Sequence, residues 1–356
     1  MAEEADDAPR RLRLELGLTA LNLKNPRPSM PVELSRAAEA CGFAGVWAPE
    51  LQGTDPFGLL GWVGSQTRSI GLGCAVAQVT GRSAVSMATA AMTLAALSEG
   101  RFRLGLGVSG PRVVQGWHGR PYERPLSYLR DYVAVIREAL SGKPVRHRGR
   151  EITLPASAGS EPTEPLALPA PRYCPPVDVA GLGPRAIALA GEIADGWIPT
   201  FFSPEYVADF RALLQEGAER AGRSLDAFDI APTVNAYVSD DREQARNLMR
   251  PVLALYIGGM GSRDQNFYNR LVQRYGFEGP AAEIQDLYLS GKKEEAAAAI
   301  PNELIDMVSL AGPADVVRDR LAAFRDAGVG TLMITPMAFT RDERIEQLRL
   351  VAELAG

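Results

Sequence analysis

Residues 101–111 read Arg-Phe-Arg-Leu-Gly-Leu-Gly-Val-Ser-Gly-Pro, and the reading of this stretch decides the fold. Arg101–Val108 has the short apolar run of a buried strand, and it breaks at once into closely spaced glycines, a hydroxyl and a proline. Upstream lies Ala84–Leu97, an Ala/Met/Thr-rich helix closed by Ser98-Glu99-Gly100. Downstream lies Pro125–Leu140, where Leu126, Leu129, Tyr132, Val133, Ile136 and Leu140 share one helical stripe. A strand held between two helices is the unit of a parallel sheet.

The alternation continues in both directions. Strands are predicted at Leu12–Thr19, Phe43–Ala48, Ser69–Ala77, Pro176–Ala180, Gly196–Thr200, Phe228–Ser239 and Thr331–Thr335. Helices are predicted at Val32–Cys41 (opened by Pro31), Pro56–Thr67, Pro184–Glu192, Pro204–Ala221, Asp241–Tyr256, Pro313–Ala327 and Arg341–Leu354. Eight strands alternating with helices favour a closed (β/α)8 barrel of the TIM type over an open sheet. The expected organisation is a disordered tail at 1–10 and a single barrel domain over 11–356. A loop insertion at 141–175 and a helical insertion at 258–310 interrupt it. Within the first insertion, Gly142–Pro155 reads as a small extended excursion and Ala156–Ala170 as an exposed loop.

Composition narrows the function. The 356 residues are 46% hydrophobic and 23% charged, with a net charge of -5 and no basic block, so nucleic acid is not an expected partner. Three cysteines, Cys41, Cys74 and Cys174, without close spacing fit a reducing compartment. No signal peptide or membrane span is read, which points to the cytoplasm. His118 and His147 are the only histidines and are not in ligand spacing, so no metal is expected. No G-x-S-x-G elbow is present either. With neither metal nor nucleophile, the chemistry has to come from a bound cofactor.

In barrels the active site lies at the carboxyl ends of the strands. The candidates there are Asn22, Glu50, Gln78, Ser109 with Trp117 and His118, Gly181 and Gly183, Thr200 and Phe201, Asn235, and Thr335 with Pro336. Two glycine loops stand out. Gly107-Val108-Ser109-Gly110 and Ala180-Gly181-Leu182-Gly183 each follow a strand, and the second leads into a helix with Pro184 at its first position. Such turns present free N–H groups to an anion. Each loop could equally be an ordinary tight turn. Around Gly73, Cys74 and Ala75 small residues could leave room for a flat ring, or simply allow close strand–helix packing.

The run Ser98–Gly107 resembles the "LSxGRFxLGLG" signature of the luciferase-like, F420-dependent oxidoreductases. Trp47 to Phe57, Gly116–Tyr122, Arg130–Val133, Ala190–Trp197, Leu255–Asn269 and Val308–Pro313 also resemble that family. The resemblance covers about residues 12 to 350 and implies a (β/α)8 barrel, usually a homodimer. It implies coenzyme F420 as cofactor, with FMN as the alternative, and a small-molecule substrate. It further implies a bulge in strand three, often with a non-prolyl cis peptide, which maps to Cys74-Ala75-Val76 and backs the cofactor ring; Gly73, from the small-residue run, is a candidate beside it. The phosphate contacts map to Gly107, Val108, Ser109, Gly110, Ala180, Gly181, Leu182 and Gly183. Asn22 and Glu50 map to pocket positions. Where some relatives carry an Asp-His pair after strand two, this chain has Glu50-Leu51.

A hydride would pass between the deazaflavin C5 and C=N, C=C or C=O, or an alcohol in reverse. A general acid is needed, with Glu50 and His118 the candidates and Tyr122 third. Trp47, Trp117, Trp197 and Phe201 are candidate pocket walls. Two other readings are an FMN-dependent monooxygenase using reduced flavin and O₂, and a non-catalytic cofactor-binding barrel. The insertion at 258–310, with Arg263, Asn266, Tyr268 and Asn269, is expected to cap the barrel or join a dimer.

Overall fold

The structure is a computed structural model that describes residues 12–21, 23–24, 27–51, 53–156 and 163–356. The 1–10 tail and Asn22 lie outside the described residues. In chain order the strands are β1 (Arg13–Gly17), β2 (Gly45–Ala48), β3 (Gly71–Cys74), β4 (Ala77–Gln78), β5 (Phe102–Gly107), β6 (His147–Arg148), β7 (Thr153–Leu154), β8 (Val177–Ala180), β9 (Gly196–Ile198), β10 (Asp229–Ile230), β11 (Thr233–Val238), β12 (Ser309–Gly312) and β13 (Thr331–Pro336). All but β6 and β7 belong to one sheet, in the order β10-β9-β8-β5-β3-β2-β1-β13-β11-β12, with β4 also on β5. Every pairing printed within it is parallel.

The sheet curls. β10 and β11 are separated only by Ala231 and Pro232, yet β10 pairs with β9 and β11 pairs with β13. A bridge from Thr200 to Thr233 continues the first pairing. The sequence predicts one strand over Phe228–Ser239, and Pro232 splits it because proline has no N–H to donate to a ladder. The predicted strand Ser69–Ala77 is also split, into β3 and β4, around a cis peptide bond between Ala75 and Val76.

Other boundaries moved for local reasons. The helix predicted from Asp241 begins at Arg242, with the Asp241 carboxylate accepting from Gln244 N as its cap. It ends at Ala254 and runs into a π-helical turn, Leu255–Gly259. A short helix, Pro111–Gly116, was not foreseen, since six residues show no helical stripe. The insertion at 258–310 holds the helices Phe267–Arg274, Glu278–Leu289, Lys293–Ala298 and Asn302–Val308, but its end is strand β12 rather than helix. No turn residue separates Val308 from Ser309, so the sequence gives no sign of that switch. The extended excursion is the antiparallel hairpin of β6 and β7.

Side chains alternate across the sheet with the two-residue period of strands. Leu14, Leu16, Val46, Leu72, Leu104, Leu106, Val177 and Val179 join the large core between sheet and helices. The inner face carries Glu15, Trp47, Arg103, Asp178, Ile198 and Met333. Trp47, Ile198, Ala231 and Met333 form a separate apolar layer there, with Ala75, Val76 and Ala180 packed on it.

Candidate active site

The inner face has a sealed end and an open end. Trp47, Ile198, Ala231 and Met333 are at most 3% exposed. At the carboxyl ends of the strands, Gly17, Val76, Ala180, Thr200, Asn235 and Thr335 are all half-buried, as is Thr233, which bridges to Thr200. An opening therefore begins just beyond Trp47. This alternation corrects two expectations. A Cβ on Gly73 would lie 2.2 Å from Cε3 of Trp47, so the room left by this glycine is filled by the indole. Cys74 is wholly buried in the outer core, and burial pushes its thiol well above the usual range. Neither Gly73 nor the Cys74 side chain lines the opening, whereas Ala75 and Val76 do. Trp197 also faces outward, packed on Phe202 and Phe210, with Nε1 donating to Gly181 O at 2.8 Å.

The two glycine loops stand side by side. β5 and β8 are paired, and a Cβ on Gly107 would lie 2.6 Å from Cγ2 of Val76 and 3.9 Å from Cβ of Ala180. Ser109 adopts a left-handed φ of 58°, uncommon for a residue with a side chain. Its carbonyl accepts from the Tyr122 hydroxyl at 3.2 Å, and burial pushes that phenol up to about 12. Val108 packs against the outer core, and the Leu182 carbonyl accepts from Arg274. Gly110 and Gly183 are each the residue before a helix, Pro111–Gly116 and Pro184–Ile193, and no side chain caps either helix. A Cβ on Gly110 or Gly183 would meet nothing within 4 Å.

Arg112 and Arg185 were missed by sequence reasoning. Each is the second residue of its helix, exposed and, among the described residues, without a hydrogen-bond or ion-pair partner. A cation in a first helical turn opposes the helix dipole, by about 0.3–1 kcal/mol at an exposed site, and a bound anion there would offset it. The signal was available: Gly-Pro-Arg occurs at 110–112 and again at 183–185.

Glu50, Gln78 and His118 meet beside the first glycine loop, where Gln78 pairs with Gly107. Glu50 accepts from Gln78 N at 2.6 Å and pairs with Arg82 at 3.1 Å; Arg82 also holds Asp55. The Gln78 amide donates to Glu50 O at 3.0 Å, which turns its Oε1 toward His118 Nε2, also at 3.0 Å. Nε2 is then the donor, and Nδ1 is the ring nitrogen left to exchange a proton. Glu50 is engaged as an ion-paired acceptor. Trp117 beside His118 is 52% exposed.

The insertion forms a further wall. Arg274 donates to Leu182 O and Tyr275 donates to Phe201 O at 2.7 Å, so the helix Phe267–Arg274 lies across the ends of β8 and β9. Phe201 has a left-handed φ of 57° and packs on Tyr256 and Tyr268, whose rings stand edge to face 4.7 Å apart. The π-helical turn that carries Tyr256 leaves carbonyls unpaired within the helix. Asn266 Nδ2 donates to the carbonyls of Tyr256 and Ile257, and Asn269 Nδ2 to those of Ile257 and Ala281. Asn266 and Asn269 thus build the wall rather than face a ligand. Arg263 pairs with Asp286 on the surface.

A curled parallel sheet with its opening at the carboxyl ends, flanked by two helix starts without side-chain caps, is the arrangement of an α/β enzyme. Comparison with known proteins agrees: the family model for luciferase-like monooxygenases matches residues 14–331, and the chain belongs to that family of enzymes. It is 38% identical over 316 residues to a putative coenzyme F420-dependent oxidoreductase of Mycobacterium tuberculosis, covering 86% of this chain and 91% of that one. Among solved structures it resembles the coenzyme F420-dependent tetrahydromethanopterin reductase of Methanopyrus kandleri, at a TM-score of 0.79 and 24% identity, over 96% of this chain and 98% of the other. It also resembles an F420-dependent secondary alcohol dehydrogenase in complex with an F420-acetone adduct, at a TM-score of 0.75 and 17% identity, over 97% and 99% of the two chains.

Proposed function

We propose that this protein is a coenzyme F420-dependent oxidoreductase built on a (β/α)8 barrel that closes through the Ala231–Pro232 break. The observation that carries the cofactor reading is the pair of Gly-Pro-Arg helix starts beside the opening. Ser109, Gly110 and Arg112 from one loop, with Leu182, Gly183 and Arg185 from the other, would hold the cofactor's phosphate. Ala75, Val76 and Gly107 leave a smooth apolar surface on which a flat ring would lie. When bound, the deazaflavin supplies or takes a hydride at C5, and the other partner is a small organic molecule with C=N, C=C, C=O or an alcohol.

The chain's own residues orient and move protons. The Gln78 amide fixes His118 so that Nδ1 gives a proton to, or takes one from, the substrate atom whose charge changes. Glu50, held by Arg82 and Gln78 N, positions Gln78 rather than acting as the acid. Asn22 remains assigned to the pocket by family resemblance alone. A cytoplasmic homodimer completes the reading. Its support is three free thiols, and exposed Trp62 and Leu97 on the neighbouring helices Pro56–Ser65 and Ala84–Leu97 as a face for a second copy.

The cofactor site is tested by Gly183→Val. The added side chain meets open space and the φ of -80° suits any residue, so folding should be unaffected. F420 affinity should fall by about tenfold or more as an anion contact is lost. Unchanged affinity would remove the phosphate from this loop. Turnover of reduced F420 with an acceptor in the absence of oxygen separates this reading from an FMN-dependent monooxygenase, which requires O₂.

A further inference from the structure

Tyrosines packed in a protein interior usually pair their hydroxyls. Tyr256 and Tyr268 do not: both are half-buried, and neither hydroxyl has a hydrogen-bond partner among the described residues. Burial raises both phenols above their ordinary range, so both remain protonated donors at neutral pH. Their rings and that of Phe201 form a three-sided aromatic cluster with centroid separations of 5.6, 5.7 and 4.7 Å. The cluster is deliberately held. Phe201 is fixed in a left-handed conformation by the Tyr275 hydroxyl on its carbonyl, and Tyr256 is fixed by Asn266. It stands at the carboxyl end of β9, where the inward-facing Thr200 and Thr233 are half-buried at the opening. Large apolar side chains are exposed on other loops at the same end of the sheet. Leu23 and Leu51 follow β1 and β2, Met260 follows the π-helical turn, and Phe339 follows β13.

We propose that Phe201, Tyr256 and Tyr268 form the specificity wall of the substrate site. It would take a flat, largely apolar molecule and bind one acceptor oxygen or nitrogen on it through the two phenol hydroxyls. This rests on the oxidoreductase reading for the identity of the reacting group, but not for the binding itself. The rings supply stacking and edge contacts, and the hydroxyls select against a purely hydrocarbon analogue, which would leave them unpaired. The insertion thereby sets the substrate class, while the strand ends and glycine loops hold the cofactor.

The test uses the full chain and ligand-observed NMR titration, with acetophenone as the probe and ethylbenzene as its counterpart without an acceptor. The wild-type protein is expected to bind acetophenone saturably, and about three- to tenfold more tightly than ethylbenzene. Tyr256→Phe with Tyr268→Phe keeps the rings and should bring the two ligands to equal affinity. F420 binding, titrated in parallel, should be unchanged by the pair of substitutions. Absence of saturable acetophenone binding, or a preference for acetophenone that persists in the double variant, overturns the proposal. Failure of F420 to bind the wild type, with the acetophenone preference still lost in the variant, leaves the wall standing and removes only the cofactor reading.

Discussion

The inner face of the curled sheet carries polar groups at both ends, and the two ends treat them in opposite ways. At the amino end the carboxylates are buried and mostly paired. Arg103 grips Asp178 through two hydrogen bonds of 3.0 and 2.7 Å, Arg13 and Thr331 hold Asp229 Oδ2, and Glu15 accepts from the Trp47 indole. Glycines make the room: a Cβ at Gly45 would run into the Glu15 carboxyl, and one at Gly196 would lie 2.6 Å from Asp178 Oδ1. At the carboxyl end, beside the Glu50–Arg82–Gln78–His118 network, several donors have no hydrogen-bond partner among the described residues: Arg112, Arg185 and the hydroxyls of Tyr256 and Tyr268. A polar group satisfied inside the protein does structural work, while one left free beside an opening is available to a ligand.

The sharpest way to break this contrast is at the amino end. Asp178→Ala leaves the half-buried Arg103 guanidinium without its two hydrogen bonds and should cost about 1.5–3 kcal/mol in chemical denaturation. A loss below about 1 kcal/mol would show that this network is not structural. Glu15 gives the next effect. Burial, the largest influence, pushes its carboxyl up to about 7, against the opposing hydrogen bond from Trp47. The folded state thus holds the proton more tightly than the unfolded chain. This stability is complete below an unfolded value near 4.5 and is lost as pH rises through about 7. Up to about 3 kcal/mol should disappear between pH 4.5 and 8, and Glu15→Gln should flatten that part of the profile. An unchanged profile would contradict the assignment.

At the carboxyl end the same kind of substitution should leave stability nearly untouched. Arg112→Ala and Arg185→Ala each remove an unpaired exposed cation, so denaturation midpoints should barely shift, by about 0.5 kcal/mol or less. F420 binding should weaken by about tenfold for each. Large losses of stability with full affinity would reverse the roles given to the two ends.

How much of this was legible differs by region. The strand–helix alternation fixed the eight principal strand positions because each is an apolar run bounded by turn residues. The glycine loops were legible for the same reason that they fold, since Gly107 and Gly181 each have a neighbour that a side chain would strike. Gly73 misled because an empty position in sequence does not say which neighbour fills it; Trp47 does. Cys74 is placed at the ring by its small size and by the family's strand-three bulge, whereas its register turns its side chain outward. Glu50 was read as an acid before Arg82 could be seen beside it, 32 residues away in sequence. Phe201, Tyr256 and Tyr268 come together only through the fold of the insertion, with a π-helical turn that leaves no mark on hydrophobic periodicity.

The most direct measurement is a fluorescence titration of the purified protein with F420 and, separately, with FMN. The free cations and uncapped helix starts beside a smooth apolar surface predict saturable F420 binding, at least about tenfold tighter than FMN, and weakened in parallel by Arg112→Ala and Arg185→Ala. Tighter FMN binding, or saturable binding of neither, would contradict the F420 site at the carboxyl end of the sheet.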